Sequence, residues 1–215
     1  MLLSGGIDSA TCLFLSRKRG NANRALTVIF HGIAEGEVTA ASLIGRRAEV
    51  LEHRFFPIPE LREVGDMKDP GRLRGLPRAY IPMKNAIYYS AAASFAEEVG
   101  AARIIGGHNR DDTEVYEDTS EAFFRSLQGA LRSGSDRLRT NRVSIWRPLK
   151  GMDKASVVSM AHRLGVPLEL TWSCHEEGNE HCWRCTGCLQ RRRAFAAAGV
   201  ADPLERKGRS KTERV

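Results

Sequence analysis

Short apolar runs alternate with segments of helical period along most of this chain, and that alternation restricts the fold more than any other feature. "ALTVIF" (25–30), "HRFFPI" (53–58), "ARIIGG" (102–107), "VSIWRPL" (143–149) and "LELTW" (168–172) read as strands. The first and third are nearly all apolar, as strands covered on both faces are. Between them, Ala10, Leu13, Phe14 and Arg17 fit one helix; Ile87, Ala91, Phe95 and Val99 form an apolar stripe in a second; Val157, Met160 and Leu164 do so in a third. These stripes read as core. The pattern predicts an α/β fold, an open parallel sheet with helices on both faces, whose ligands sit beyond the carboxyl ends of the strands. Two segments, 62–82 and 132–142, are rich in Gly, Pro, Arg and Ser and long for connections. They read as surface loops or, because both carry several arginines, as lids over an anionic site. No internal repeat is present.

With 215 residues, 42% of them hydrophobic, the chain can bury a full core, and its length suits one domain plus a small appendage. No apolar run approaches the roughly 20 residues of a membrane span, and no basic stretch followed by an apolar core marks a signal peptide. A cytoplasmic protein without membrane contact is expected. The formal charge of +7 favours phosphate-bearing partners such as a nucleotide, a nucleic acid or an anionic metabolite. Much of the excess lies in "ERKGRSKTERV" (205–215), a polar tail without periodicity. It lacks interleaved aromatics, so nucleic acid is not expected as a partner.

The first chemical signal is "SGGIDS" (4–9). Leu2 and Leu3 end a strand, a glycine-rich turn follows, and a helical pattern begins at once, with only about three residues before the turn. Backbone N–H groups in such a turn, with the unpaired donors and positive dipole end of the next helix, form an anion cradle. Gly5 and Gly6 should let the backbone approach phosphate oxygens, and Ser4 and Ser9 add hydroxyl donors. Asp8 would repel phosphate. It makes sense as a helix N-cap or through a Mg²⁺ bridging it to phosphate. The turn has neither the lysine of G-x-x-x-x-G-K-[ST] nor the pattern G-x-G-x-x-G. It resembles instead the pyrophosphate-binding loop of the ATP pyrophosphatases, which cleave ATP between its α and β phosphates. That resemblance implies adenylation of an acceptor oxygen.

Cys174, Cys182, Cys185 and Cys188 are spaced C-x7-C-x2-C-x2-C. Three readings compete: disulfides, disfavoured in a cytosolic chain; an iron–sulfur cluster, whose usual Cys-Pro is missing here; and one structural zinc ion in a closed thiolate shell, the reading adopted. Such a site would hold the segment's shape and anchor it to the sheet. His175 and His181 flank it, as outer neighbours or exposed residues. Cys12 reads as a small buried hydrophobe.

The whole chain resembles the 7-cyano-7-deazaguanine synthases, nitrile-forming ATP pyrophosphatases of the queuosine and archaeosine pathways. "LLSGGIDSATCL" is similar to that family's opening loop and helix. "YIPMKNAIYYSAAASFAEEVGAARIIGGHNRDDTEVYEDTSEAF" is similar to its central region, with Pro82, Asn85, Gly107, Asn109, Asp112, Tyr116, Asp118 and Phe123 in register. "TWSCHEEGNEHCWRCTGCLQRRRAF" resembles its zinc segment, including Arg191, and "LKGMDKASVVSMAHRLGVPLELTWSC" places Lys154 at its lysine position. The chain departs from the family at Lys84, often arginine there; at "HGIAEG" (31–36), where a "YGQ" turn is usual; and at "EDTS" (117–120), where "PDCR" is usual.

The resemblance implies a Rossmann-like nucleotide-binding domain (1–170), a zinc-binding helical segment (171–200) and a basic tail (201–215), in a homodimer. It implies that Ser4, Gly5, Gly6, Ile7, Asp8 and Ser9 hold the pyrophosphate of ATP and Mg²⁺, with Ser4, Asp8, Ser9 and Lys154 as the catalytic set. Lys154 would neutralise phosphate charge, or is an exposed helix lysine. Asn85, Asn109, Asp112, Tyr116 and Asp118 would lie near the deazapurine, with Tyr116 alternatively a core tyrosine. The substrates implied are ATP, ammonia and 7-carboxy-7-deazaguanine. Two other classes stay open: another adenylating pyrophosphatase, such as a tRNA-thiolating enzyme that would need Cys12 or an amide-forming ligase, and a non-catalytic zinc- or nucleotide-binding module.

Overall fold

The structure, a computed structural model, describes residues 1–134 and 143–205. Residues 135–142 of the second arginine-rich segment and 206–215 of the basic tail lie outside the described residues. Strand β1 (Arg24–His31) pairs in parallel with β2 (Glu52–Arg62), and β3 (Arg103–Ile105) in parallel with β4 (Ser144–Trp146). Residues 1–3 join the two pairs. Leu2 forms a parallel bridge with Leu26. The Leu3 N–H donates to the Leu26 carbonyl at 2.9 Å, the Leu26 N–H to the Met1 carbonyl at 2.8 Å, and the Leu2 N–H to the Ile105 carbonyl at 3.0 Å. The spatial order is therefore β2, β1, residues 1–3, β3, β4. It reverses at the short segment that leads into the glycine-rich turn, the topological switch point at which such sheets bind ligands.

Helices cover both faces of this sheet. Leu3, Ala25 and Ile105 point into one core with α1 (Ile7–Lys18), α2 (Glu35–Arg47), α6 (Lys154–Arg163) and α7 (Thr186–Ala198). Their strand neighbours Leu26 and Ile104 point the opposite way, into a second core with α3 (Lys84–Glu98) and α5 (Glu121–Ser133). Alternation along each strand divides the apolar residues between the two layers. Side-chain caps mark where four helices begin: Asn109 for the short α4 (Arg110–Val115), Ser120 for α5, Asp153 for α6 and, through its sulfur, Cys185 for α7. No helix among the described residues is long and apolar enough to cross a membrane.

Two sequence expectations give way here. "LELTW" is not a strand: Leu168–Leu170 form a 3-10 turn. Two of its carbonyls are taken by a side chain, with Arg191 donating to Leu168 at 3.1 Å and to Thr171 at 3.3 Å, which draws the segment into a turn and away from a ladder. On α3, only Phe95 of the expected stripe is buried; the inward face runs through Tyr89, Ala92, Ala93 and Ala96. Alanines pack closely against the sheet, and this face carries too little hydrophobic bulk to stand out as a stripe.

The first long connection, 62–82, doubles back on itself. The Val64 N–H donates to the Tyr80 carbonyl and the Gly65 N–H to that of Arg78, both at 2.9 Å. Of its arginines, Arg78 lines an adjoining cavity together with Asp112, Tyr116 and Lys154. The side that the connection turns inward carries Glu63, Tyr80 and Ile81, while Arg72 and Arg74 are exposed.

Arg191 on α7 is the most deeply placed charge. Its Nε and Nη2 grip both carboxylate oxygens of Asp202 at 2.6 and 2.9 Å, and the two side chains are 0% and 1% exposed. Removing one partner strands the other without solvent. Arg191→Met should therefore destabilise the fold by about 3–5 kcal/mol. Arg192→Met, whose pair with Glu205 is 45% and 40% exposed, should cost about 1 kcal/mol or less. Urea unfolding of both variants measures the contrast.

Candidate active site

Helix α1 starts at the switch point with Gly6 as its N-cap, an extended residue that offers no side-chain cap. The N–H groups of Ile7, Asp8 and Ser9 consequently have no hydrogen-bond partner among the described residues. Unpaired N–H groups and the positive dipole end of a helix together suit a negative charge. The hydroxyls stiffen the turn. Ser4 and Ser9 lie Oγ to Oγ at 3.1 Å, the Gly6 N–H donates to Ser4 Oγ at 3.3 Å, and Ser9 Oγ donates to the Gly6 carbonyl at 3.1 Å.

The two glycines differ in purpose. Gly5 has φ +82°, and a Cβ there would lie 2.7 Å from the Ala41 nitrogen and the Glu37 carbonyl of α2. Its missing side chain makes room for a helix, not for phosphate, whereas Gly6 lines the cavity. The glycine that keeps the cradle open is Gly107, beyond β3, where a Cβ would press on the Ser9 nitrogen at 2.7 Å. In the sequence, Gly107 stands in register with the resembled family but carries no evident role. The paired glycines ending "ARIIGG" were the available signal.

Asp8 is not the N-cap. Its carboxylate accepts from Lys154 Nζ on one oxygen and from Asn109 Nδ2, at 3.1 Å, on the other. Lys154, the first residue of α6, is half-buried rather than an exposed helix lysine. Burial opposes its charge, but Asp8, with Asp112 and Asp111, holds its pKa above the usual lysine range. Asp112 belongs to the same group. Burial, assisted by Asp8, lifts its carboxyl to about 6, against the pull of the Asn109 N–H and Lys154.

Ser4, Ile7, Asp8, Ser9, Lys154, Asp112, Asn85, Tyr116 and Asp118 all line one cavity of about 390 Å³. Residues far apart in sequence thus meet at the carboxyl ends of the strands. Asn109 stands behind Asp8 and not on this cavity wall. Its side chain caps α4, accepting from Asp111 N–H at 2.8 Å, while its own N–H donates to Asp112 at 3.0 Å. Asn85 and Asp118 are largely committed to each other: the Asn85 N–H donates to Asp118 Oδ2 at 3.0 Å, and Asn85 Nδ2 to the Asp118 carbonyl at 3.1 Å. Tyr116 is half-buried, its ring nearly parallel to that of Tyr80, with centroids 6.1 Å apart. Sequence reasoning passed over a second charged group in the cavity, Glu37, Glu63 and Lys84, with Tyr88 beside them.

The four cysteines converge as their spacing suggested. All four sulfurs lie within 4.8 Å of one another, with Cys174 to Cys185 at 3.9 Å and Cys182 to Cys188 at 4.0 Å. Backbone N–H groups of His175, Cys182, Cys185 and Cys188 donate to these sulfurs. No disulfide joins them. A tetrahedron of thiolates about 2.3 Å from one ion has edges of roughly 3.8 Å, so the set could hold a single metal ion. The flanking histidines stand outside it: His181 Nε2 accepts from the Ser173 N–H at 3.1 Å, and His175 Nδ1 lies 3.2 Å from Thr186 Oγ1. The cluster also reaches the cradle. Trp172 donates its indole N–H to the Cys174 carbonyl at 2.7 Å and its backbone N–H to the Gly5 carbonyl at 3.0 Å.

Fold and site together define a class: a doubly wound α/β protein with a turn of unpaired N–H groups at its switch point and a cluster of four thiols, able to hold a metal ion, packed beside it. Among solved structures, the fold is similar to that of an NMN synthetase from Francisella tularensis, with a TM-score of 0.52 at 19% identity over 95% of this chain and 79% of that one. The family model described as queuosine biosynthesis protein QueC matches residues 1–199, and the chain belongs to that family. Similar curated proteins include 7-cyano-7-deazaguanine synthase 1 of Sphingopyxis alaskensis, 34% identical over 94% of this chain and 95% of that protein. The 7-cyano-7-deazaguanine synthases of Archaeoglobus fulgidus and Thermosynechococcus vestitus are 33% and 32% identical over 95% of this chain, spanning 88% and 93% of their own lengths.

Two outcomes follow from this geometry. Gly107→Ala should destabilise the fold by about 1–3 kcal/mol, because its Cβ meets only backbone of residues 8 and 9, and should weaken pyrophosphate binding by about tenfold, measured by calorimetry, because one cradle donor is displaced. Cys185→Ser should lose the bound metal, read by elemental analysis, and should also raise the KM for ATP, since Trp172 ties the cluster to Gly5.

Proposed function

We propose that this chain makes 7-cyano-7-deazaguanine from 7-carboxy-7-deazaguanine, ammonia and ATP. The observation that carries the reading is the row of unspent N–H groups at the start of α1, held open by Gly107 and flanked by Lys154, inside a cavity large enough for organic substrates. Turning a carboxylate into a nitrile removes both oxygens, and neither leaves unaided near neutral pH. Adenylation makes each a leaving group. The carboxylate attacks the α-phosphorus of ATP and releases pyrophosphate; ammonia displaces AMP to give an amide. The amide oxygen is then adenylated by a second ATP, and loss of AMP with a proton forms the nitrile.

In this reading the N–H groups of Ile7, Asp8 and Ser9, with the Ser4 and Ser9 hydroxyls, receive the departing pyrophosphate. Lys154 moves from Asp8 to phosphate as charge develops, so each group has a partner before and after substrate arrives. Asp8 and Asp112 are the carboxylates suited to hold Mg²⁺, which would neutralise phosphate charge when bound. The four cysteines would hold one zinc ion whose closed shell supports the fold and takes no part in the reaction. Cys12 argues against a sulfur-transferring enzyme: it is fully buried, and burial, with Asp8 near, pushes its thiol pKa well up. A cytoplasmic homodimer feeding queuosine or archaeosine synthesis, divided near residues 170 and 200, completes the proposal.

Incubation with ATP, Mg²⁺, ammonia and 7-carboxy-7-deazaguanine should yield the nitrile by mass spectrometry, with AMP and pyrophosphate. Lys154→Ala should lower kcat by about 10²–10³. Release of orthophosphate in place of pyrophosphate would overturn the reading.

A further inference from the structure

Glu37, Glu63, Lys84 and Tyr88 line the same cavity as the glycine-rich turn, yet none belongs to that turn or to the bonded group of Asp8, Asn109, Asp112 and Lys154. Glu37 lies in the first turn of α2, Glu63 just after β2, and Lys84 and Tyr88 four residues apart on α3, on one helix face. Among the described residues neither carboxylate makes a hydrogen bond or close ion pair. Lys84 Nζ sits 5.6 Å from the centre of the Tyr88 ring. The Tyr88 hydroxyl is buried with no hydrogen-bond partner. Burial raises the Glu37 carboxyl to about 7, with Lys84 pulling it down and Glu63 pushing it up. Buried polar groups are nearly always satisfied, so the unpartnered Tyr88 hydroxyl disfavours the empty state, and the half-buried Glu37 and Glu63 carboxylates on the same wall are placed to accept hydrogen bonds. A ligand that donates hydrogen bonds would relieve that cost. The groups that the sequence had assigned to heterocycle recognition are less available: Asn85 and Asp118 bond each other, and Asn109 and Asp112 cap α4 beside Asp8.

We infer that Glu37 and Glu63 read the donor edge of the heterocyclic substrate, with Tyr88 adding a hydroxyl and Lys84 balancing the two carboxylates. The inference rests on the function proposed above and assigns the recognition wall of that site. The chemistry chooses between the two bases the cavity would receive. Adenine shows one amino donor flanked by ring acceptors, which two carboxylates would repel. A guanine-like ring presents a ring N–H beside an exocyclic amine, adjacent donors that two carboxylates can accept.

The test compares KM for 7-carboxy-7-deazaguanine with KM for ATP in the wild type, Glu37→Gln, Glu63→Gln and Tyr88→Phe. Each Gln substitution keeps size and should raise the heterocycle KM by about tenfold or more, the worth of a hydrogen bond to a charged acceptor, with the ATP KM within about twofold. Tyr88→Phe should act in the same direction, by about threefold. A shift in the ATP KM alone, or none in either, overturns the inference while leaving the reaction intact. Should the wild type form no nitrile, the proposed reaction falls, and calorimetry with 7-deazaguanine decides the subsite. Binding weakened about tenfold by Glu37→Gln sustains it; equal binding or none refutes it. If the Gln variants do not fold, the wild type must bind 7-deazaguanine about tenfold more tightly than the analogue lacking the 2-amino group, and equal affinity refutes the inference.

Discussion

Four main-chain hydrogen bonds made by residues 1–3 hold two separate strand pairs together as one sheet. They put Leu2 and Leu3 between β1 and β3, and so fix the place where strand order reverses. Everything chemical in the molecule is laid out from that line. The turn that follows Leu3 can only emerge at the carboxyl edge of the sheet, with α1 starting directly behind it and β3 delivering Gly107 against its first N–H groups. An anion cradle made of backbone has no side chain to adjust, so its quality depends on this register.

A second set of contacts braces the cradle from the other side. Arg191, locked on Asp202, holds the carbonyls of residues 168 and 171, and this shapes the strand-like run "LELTW" into a tight turn. Trp172 leaves that turn bonded both to Gly5 and to Cys174. A four-thiol cluster remote from the glycine-rich turn therefore bears on the turn's geometry through two hydrogen bonds and one indole ring. Its contribution is one of form: a closed metal shell would fix the segment that carries Trp172.

Inside the cavity, charge falls into two groups with different degrees of satisfaction. Asp8, Lys154, Asn109 and Asp112 are bonded among themselves, a resting arrangement that arriving phosphate and cation would exchange for new partners. Glu37, Glu63 and the Tyr88 hydroxyl have none among the described residues, and Lys84 meets only a ring face. Tyr116 lies within electrostatic reach of both groups, since Asp112 and Glu63 each act on it. A site with one self-satisfied region and one unsatisfied region fits two substrates that arrive with different chemistry.

The sequence by itself determined what depends on local order. Alternating apolar runs specified a parallel α/β sheet, "SGGIDS" specified an N–H cradle at a helix start, and C-x7-C-x2-C-x2-C brought four sulfurs together, because turns and helix ends are decided by neighbours a few residues away. Only the tertiary structure decided what depends on contacts distant in sequence. Gly5 was read as room for phosphate and proved to be room for α2. Asp8 was read as a possible cap and is held by residues more than a hundred positions away. "LELTW" had the composition of a strand, but two of its carbonyls went to a guanidinium. The recognition wall of Glu37, Glu63, Lys84 and Tyr88 is scattered over α2, a connection and α3, with no motif to announce it. Composition fixes which groups must be buried; which partner satisfies each is settled only when the chain closes on itself.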